Sequence, residues 1–442
     1  MIKRSIFAFI MIFLCAVSAL LADETGEQGE KPKFGFNMNF AIGISSYEYK
    51  GDQYAYQKFG IFPEFTYGKW GLGLDLTVEV DGNFHLRDLD NNGPDRWTTF
   101  WDYVTRIYYL RYGFKGDPLY GRIGAFSNYT LGHGLIMEGY SNTLFYPQII
   151  QLGLNFDMDG RLFDFPYIGF ETVVDDVLDW DIMGVRVYSR PLSNISTPII
   201  KDLKVGATVV TDRDRNEDPV ERFKKPQFFN DPHPKSVSEL GLDVELPLLQ
   251  KQDMSLIAYS DYANIIDRGQ GAFIGSTFNY TGIPVLGITV IGQLRFFGKE
   301  FVPHYFDSFY ELDRSTKFDS LMTPAYDSFH VGYLIGPELV FFNIVDGYFF
   351  WSDGIGDEEG PEVQTGIGLA EGALPKLDAG IMYDKRDIDS FSDFFDNNDS
   401  LMQVTVGYQV SGAVKIVFIY ERSYSISGTP TRSTMVETQI SF

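Results

Sequence analysis

The chain is patterned with a period of two. Phe34, Phe36, Met38, Phe40, Ile42 and Ile44 alternate with Gly35, Asn37, Asn39, Ala41 and Gly43. Leu72, Leu74, Leu76, Val78 and Val80 alternate with Gly73, Asp75, Thr77 and Glu79. The same alternation runs through 150–156, 240–246 and 402–410. Successive side chains of a strand point to opposite faces, so each stretch predicts a two-faced strand. Segments 34–44, 70–86, 286–297 and 402–410 reach the roughly nine to eleven residues that a tilted strand needs to cross a bilayer. Counting such segments predicts about 18 strands, within a range of roughly 16 to 20, in one closed antiparallel barrel.

Alternation alone does not separate a soluble sandwich from a membrane barrel. The two ends of the chain and its aromatic residues do. The N-terminus carries Lys3 and Arg4, then an uncharged apolar run from Ser5 to Ala22, then an acidic stretch from Asp23. This is the layout of a secretory signal peptide, with cleavage expected after Ala22. Residues 1–22 are thus expected to be a signal peptide, 23–33 a short acidic tail, and 34–442 the barrel. The sole cysteine, Cys15, would leave with the signal, as suits passage through an oxidising compartment. Tyr and Trp recur near segment ends (Tyr47, Tyr49, Tyr67, Trp70, Trp101, Tyr348, Trp351), where interfacial girdles need them.

The chain ends MVETQISF, with Val436, Thr438, Ile440 and Phe442 on one face. This resembles the terminal strand of Gram-negative outer-membrane β-barrel proteins. The resemblance is one of overall pattern, porin-like, and rests on no internal motif. It implies an outer-membrane location, a lipid bilayer around the barrel, and recognition of Phe442 by the barrel-insertion machinery. Connections fit the same plan. Those near 411–413, 247–253 and 281–284 are tight, whereas 87–100, 212–236, 298–327 and 386–400 are long and polar. Short periplasmic turns and long external loops are the barrel's usual asymmetry. The first strand starts about eleven residues after the expected cleavage point, which leaves no room for an N-terminal plug domain.

Composition narrows the partners. The 442 residues carry a formal charge of −24, which argues against nucleic acid, since a polyanion would be repelled. One cysteine and five histidines give no metal cluster, and no cofactor motif is present. Asp88, Asp90, Asn92 and Gly93 match half of a calcium loop, but Thr99 stands where the bidentate Glu should be, so acidic turn residues are the simpler reading. His133, Ser141 and Asn142 match in type the residues of the outer-membrane phospholipase family without its close spacing, and no enzyme is expected.

If the apolar parity faces lipid, the other parity faces a lumen. Asp75, Glu79, Arg106, Arg122, Glu171, Arg186 and Arg295 are then candidate pore-lining residues, with Asp243, Glu245 and Gln293 beside them. Charges of both signs would either line a water-filled bore or pair across strands and fill it. The segment 131–147 breaks the alternation and is apolar and Gly-rich. It is expected to fold inward as a constriction loop, with His133 and Glu138 facing Arg106 and Arg122. Two functions follow as expectations. One is passive transport of small hydrophilic solutes; the other is a surface adhesin or receptor that uses the barrel as an anchor and loops 212–236 and 298–327 as its contact arms.

Overall fold

The computed structural model describes residues 33–49, 52–84, 103–144, 151–215, 236–322, 329–355, 360–370, 373–374, 376–396, 399–410, 414–424 and 430–441. The expected signal peptide, nearly all of the acidic tail, the Asp88–Gly93 fragment, 216–235 and Phe442 lie outside the described residues.

The chain folds as the alternation requires. β1 (Phe34–Tyr49) and β2 (Asp52–Tyr67) are the longest strands. β3 (Trp70–Leu74) and β4 (Val78–Val80) are two halves of one stave. Across the break, Leu76 N–H donates to Ile61 O at 3.0 Å. β5 (Ile107–Tyr112) and β6 (Leu119–Gly124) are short. β7 (Tyr129–Leu131) and β8 (Met137–Tyr140) leave the wall and form a separate two-stranded sheet. β9 (Gly153–Asp159), β10 (Ile168–Val174), β11 (Ile182–Ser189) and β12 (Lys204–Asp212) resume it. Long staves follow: β13 (Val237–Gln250), β14 (Met254–Ile265), β15 (Gln270–Ile283), β16 (Leu286–Phe297) and β17 (His330–Phe341). β18 (Val345–Gly354), β19 (Glu362–Leu369), β20 (Leu377–Lys385), β21 (Ser400–Gln409), β22 (Val414–Tyr424) and β23 (Pro430–Ser441) complete the circuit.

Every neighbour in the wall is antiparallel, and β23 pairs back onto β1 from Asn39↔Ser441 to Tyr47↔Ser433. With β3 and β4 as one stave, the barrel closes at 20. This is at the upper bound of the range the alternation gave. The difference from about 18 arises where β5, β6 and β10 hold only 6 or 7 residues each, too few to show a clear period. Closure pairs the strands of the wall with one another, so that their backbone bonds lie within the protein. No helix among the described residues is long and apolar enough to cross a membrane.

The register fixes which parity points inward. Glu171 pairs with Arg186, Arg186 with Thr208, Thr208 with Gly241, and Gly241 with Ala263. Directly opposed residues share a face, so this chain of pairs traces the inner wall. Its neighbours on the outer face are apolar and exposed: Val185, Val187, Leu240, Leu242 (60 %) and Val244. Inner positions of the same strands are buried and charged, among them Arg186, Glu239 and Asp243. Outward apolar and inward polar side chains thus alternate along these staves. Connections alternate too. The long ones, including 81–106, 125–152, 213–236 and 298–329, fall at one end, and the other end has shorter turns such as 251–253, 284–285 and 342–344.

Candidate functional site

Two connections from the long-loop end fold into the bore. The first is the β6–β9 connection with its β7–β8 hairpin. The second follows β16 and contains helix α1 (Tyr310–Met322). They meet along a short parallel bridge between Met137 and Phe306. His304 N–H donates to Leu135 O at 2.9 Å, and Phe306 N–H to Ile136 O at 3.1 Å. Glu138 N–H donates back to Phe306 O at 3.2 Å. Leu131, Leu135, Ile136, Met137 and Tyr140 of the first segment pack with Phe301, Tyr305, Phe306, Tyr310 and Leu321 of the second in one buried cluster. The cluster also takes in Val173, Val210, Phe273 and Phe297 of the wall. Burial of that much apolar surface, at about 25 cal/mol per Å², is what draws the two segments off the rim.

Glycines make room for them. A Cβ at Gly153 would lie 2.3 Å from the Phe126 ring, and one at Gly271 2.3 Å from the Phe301 ring. A Cβ at Gly241 would lie 2.8 Å from Ile136 Cδ1. These wall positions face inward, and each seats one apolar side chain of an inserted segment.

Ion pairs tie the second segment across the bore. On one side, Arg314 Nε and Nη2 donate to the two carboxylate oxygens of Asp212, both at 2.8 Å, and Nη2 also reaches Asp181 at 3.1 Å. Tyr310 OH donates to Asp212 at 2.6 Å. On the other side, Lys317 pairs with Asp307 at 2.7 Å, Arg386 also pairs with Asp307, and Ser308 Oγ donates to Asp384 at 3.1 Å. Asp212 ends β12 and Asp384 lies on β20, so the segment is a strap anchored on two well-separated arcs of the wall. Burial pushes the Asp307 carboxyl up, but Arg386 and Lys317 bring it below its ordinary range.

The sequence-predicted residues fall as follows. Asp75, Glu79, Arg186 and Arg295 sit on the inward parity but are buried, and Arg106 is buried beside β5. Arg122 and Glu171 keep some accessible surface. Glu79 accepts from Ser45 Oγ at 2.9 Å. Arg186 grips Asp243 through two bonds of 2.9 and 2.6 Å and reaches Glu171 at 3.1 Å. Arg122 Nε donates to Ala125 O at 2.9 Å, and its guanidinium lies over the Tyr109 ring. Arg295 Nε donates to Gln293 at 3.0 Å.

His133 and Glu138 both lie on the inserted hairpin, but their partners differ from Arg106 and Arg122. His133 stacks on Tyr259 at 4.4 Å and lies 3.4 Å from Glu245. Burial lowers its imidazole below the ordinary value, against the pull of Glu245. Glu138 lies 2.9 Å from His304 Nδ1. Burial pushes its carboxyl up, but His304 brings it below the ordinary range. The reason for the difference is direction: the hairpin leans toward β13–β16, away from β5 and β6. Ser141 Oγ bonds Thr143, and Asn142 caps Phe126 N–H and reaches Gly124 O and Asp175 O.

Asp212, His304, Asp307, Tyr310 and Arg314 were not singled out by the sequence reading. A signal was present. Phe301, Val302, Tyr305, Phe306, Phe309 and Tyr310 recur as apolar pairs four residues apart, the same departure from a polar loop that marked 131–147.

The bore is left unequal. Along β9–β16 the inner wall is covered by the inserted segments. Along β20 and β21 it stays accessible: Met382 and Gln403 face inward by register and are exposed. On β1 only the stretch near the short-turn end is open, at Asn37, whereas Ala41 and Ser45 further along are buried. Arg111 and Arg122 oppose each other directly across β5 and β6 and retain accessible surface.

No family model matches the chain, and no curated protein matches it. Among solved structures it is similar to OccK8 (OprE) of Pseudomonas aeruginosa, at 8% identity and a TM-score of 0.38, over 93% of this chain and 98% of that one. It is similar to OccAB4 of Acinetobacter baumannii at 10% identity and 0.39, over 93% and 99%. It is likewise similar to the outer membrane protein opdK of Pseudomonas aeruginosa at 10% identity and 0.37, over 93% and 98%.

Proposed function

We propose that the chain is a porin-like channel of an outer membrane that passes small hydrophilic solutes passively, around a strap that narrows the bore. The observation that carries this is the unequal inner wall. One arc is sealed by apolar packing and ion pairs, while β20 and β21 keep Met382 and Gln403 accessible inside a closed barrel. Apolar residues face outward around the wall, as a lipid solvent demands.

Selectivity follows from which charges remain exposed to the passage. Arg186 and Asp243 neutralise each other beneath the hairpin, and Arg314 of the strap pairs with Asp212 of the wall. Arg111 and Arg122 make no ion pair with a carboxylate among the described residues, and their fields extend into the passage. Export through the 1–22 segment and membrane insertion through Phe442 belong to the same reading, supported by the sequence pattern. The binding-protein alternative has less support, because 298–322, one of its two contact arms, turns inward. Single-channel recording of refolded protein tests the proposal. A steady conductance whose ion selectivity changes in Arg106→Ala/Arg122→Ala is expected. Absence of conductance would overturn it.

A further inference from the structure

The wall is not of even height. β5, β6 and β9–β12 hold 6, 6, 7, 7, 8 and 9 residues, against 14, 12, 14, 12 and 12 in β13–β17. At about 3.3 Å per residue and a tilt near 40°, seven residues rise roughly 18 Å, short of the roughly 25 Å apolar band of an outer-membrane barrel. The short staves alone do not span.

The missing height lies at the short-turn end. The connections 160–167 and 190–203 flank β10 and β11 there, and they are the two longest turns of the described residues at that end. Both expose large apolar side chains: Phe163 at 66 %, Phe165 at 54 %, Ile199 at 42 % and Ile200 at 44 %. They adjoin in sequence the exposed outward positions Ile168 of β10, Val187 of β11 and Val205 of β12. At the opposite end of the same staves, Val177, Leu178 and Trp180 are not exposed.

Much of the turn backbone is hydrogen-bonded internally, which a lipid environment favours in irregular chain. Asp159 accepts from Arg161 N–H at 3.0 Å, and Phe165 N–H donates to Gly160 O at 3.0 Å. Arg190 joins the two turns, donating its N–H to Tyr167 O at 2.7 Å and Nη1 to Pro166 O at 3.2 Å. In the second turn, Asp202 N–H donates to Ile199 O at 3.2 Å and Leu203 N–H to Ile200 O at 3.1 Å. Arg161 is exposed and Lys201 half-exposed beside this apolar surface. A cation on an apolar stem suits the phosphate level of a bilayer.

We propose that 160–167 and 190–203 form a lipid-binding skirt that enters the bilayer at the short-turn end and completes the apolar belt beneath the short staves. The proposal rests on the membrane reading of the barrel. The occupant is lipid because the surface is continuous with the outer apolar face.

Cys15 is the only cysteine, so Cys15→Ser leaves a background for single labels. Phe163→Cys, Ile199→Cys and Leu242→Cys, each carrying a polarity-sensitive fluorophore, are reconstituted into phosphatidylcholine–phosphatidylglycerol vesicles with or without brominated acyl chains. The skirt predicts blue-shifted emission at 163 and 199 and about twofold quenching by lipid brominated near the headgroup, as expected for an interfacial apolar segment. Leu242, at mid-wall, reports insertion of the barrel itself. Labels at 163 and 199 that stay open to aqueous iodide while 242 is quenched by lipid would overturn the skirt alone. A blue shift without lipid quenching would indicate contact with a second copy and would also overturn it. Failure at 242 as well would remove the membrane reading beneath both.

Discussion

Arg314 and Asp212 are 102 residues apart in sequence and meet in a two-bond pair, both bonds 2.8 Å. Neither side chain is more than 2 % exposed. Breaking such a buried pair by removing one partner costs about 3–5 kcal/mol, and loss of Asp212 leaves Arg314 to the longer 3.1 Å contact with Asp181. Asp212→Ala also strips Tyr310 OH of its acceptor. The cost falls on docking of the strap, since closure of the wall does not depend on it. The expected result is a larger single-channel conductance, together with protease cleavage within 310–322 that the parent protein resists. An unchanged conductance would show that the strap does not narrow the passage.

Arg122 and Arg186 should separate selectivity from structure. Arg186 is bonded to Asp243 and Glu171 beneath the inserted hairpin, and Asp243 directly opposes Asp261 across the ladder. Arg186→Ala leaves three carboxylates crowded in a buried site, so a lower unfolding midpoint is expected, with Arg186→Lys a milder loss. Arg122 opposes Arg111 and faces the passage. Arg122→Glu is expected to leave the midpoint within about 1 kcal/mol of the parent, as for surface substitutions away from buried networks. It should shift the reversal potential in a salt gradient toward cations. A shift with Arg186→Lys and none with Arg122→Glu would reverse the assignment.

Much of this architecture was legible as alternation, and the reason is physical. In Leu240, Leu242 and Val244 against Gly241, Asp243 and Glu245, one side chain in two points out of the barrel and the next into it, so the boundary between the two faces is written residue by residue. The apolar break at 131–147 was legible for the same reason, being a loop too apolar for water. The ion pairs were not. Whether Arg186 finds Asp243 depends on register across strands 57 residues apart, which no local pattern states. Nor did the inward glycines announce themselves. Gly153, Gly241 and Gly271 read as polar-face fillers until Phe126, Ile136 and Phe301 are seen occupying the space a side chain would need. The strap was hidden by its own charges, since Asp307, Arg314 and Lys317 give it a loop's composition although each is paired inside.

Acid should loosen the inserted segments. His133 titrates below its ordinary value of 6.5 because it is buried, with Glu245 opposing that effect. Glu138 lies below its ordinary 4.5 because His304 more than offsets burial, and Asp307 lies below 3.8 because Arg386 and Lys317 do the same. In each case the docked state binds protons less readily than the undocked state. The contribution of these three groups to docking is therefore full above pH 6.5 and falls in two stages. The first begins as pH drops below 6.5 toward the lowered value of His133. The second begins below the ordinary carboxylate values as Glu138 and Asp307 are titrated. Conductance recorded from pH 7.5 downward should rise in these two stages, and His133→Asn should abolish the first. A conductance that falls monotonically with acid would contradict the direction of all three shifts.

The sorting of side chains between oil and interior gives the most general test. Leu242 is 60 % exposed at the middle of β13, on the outer face. Gln403 is also exposed, but its register with Met382 and Glu421 places it on the inner face. A cation introduced on the lipid face near the bilayer midplane costs about 2–4 kcal/mol, whereas one facing an aqueous interior costs little. Leu242→Arg is therefore expected to lower folding stability in lipid vesicles by that amount, measured by urea titration. Gln403→Arg should remain close to the parent and instead shift ion selectivity toward anions. Equal penalties at the two positions would mean that exposure on these strands does not distinguish lipid from water. The barrel would then have to be read as a soluble one.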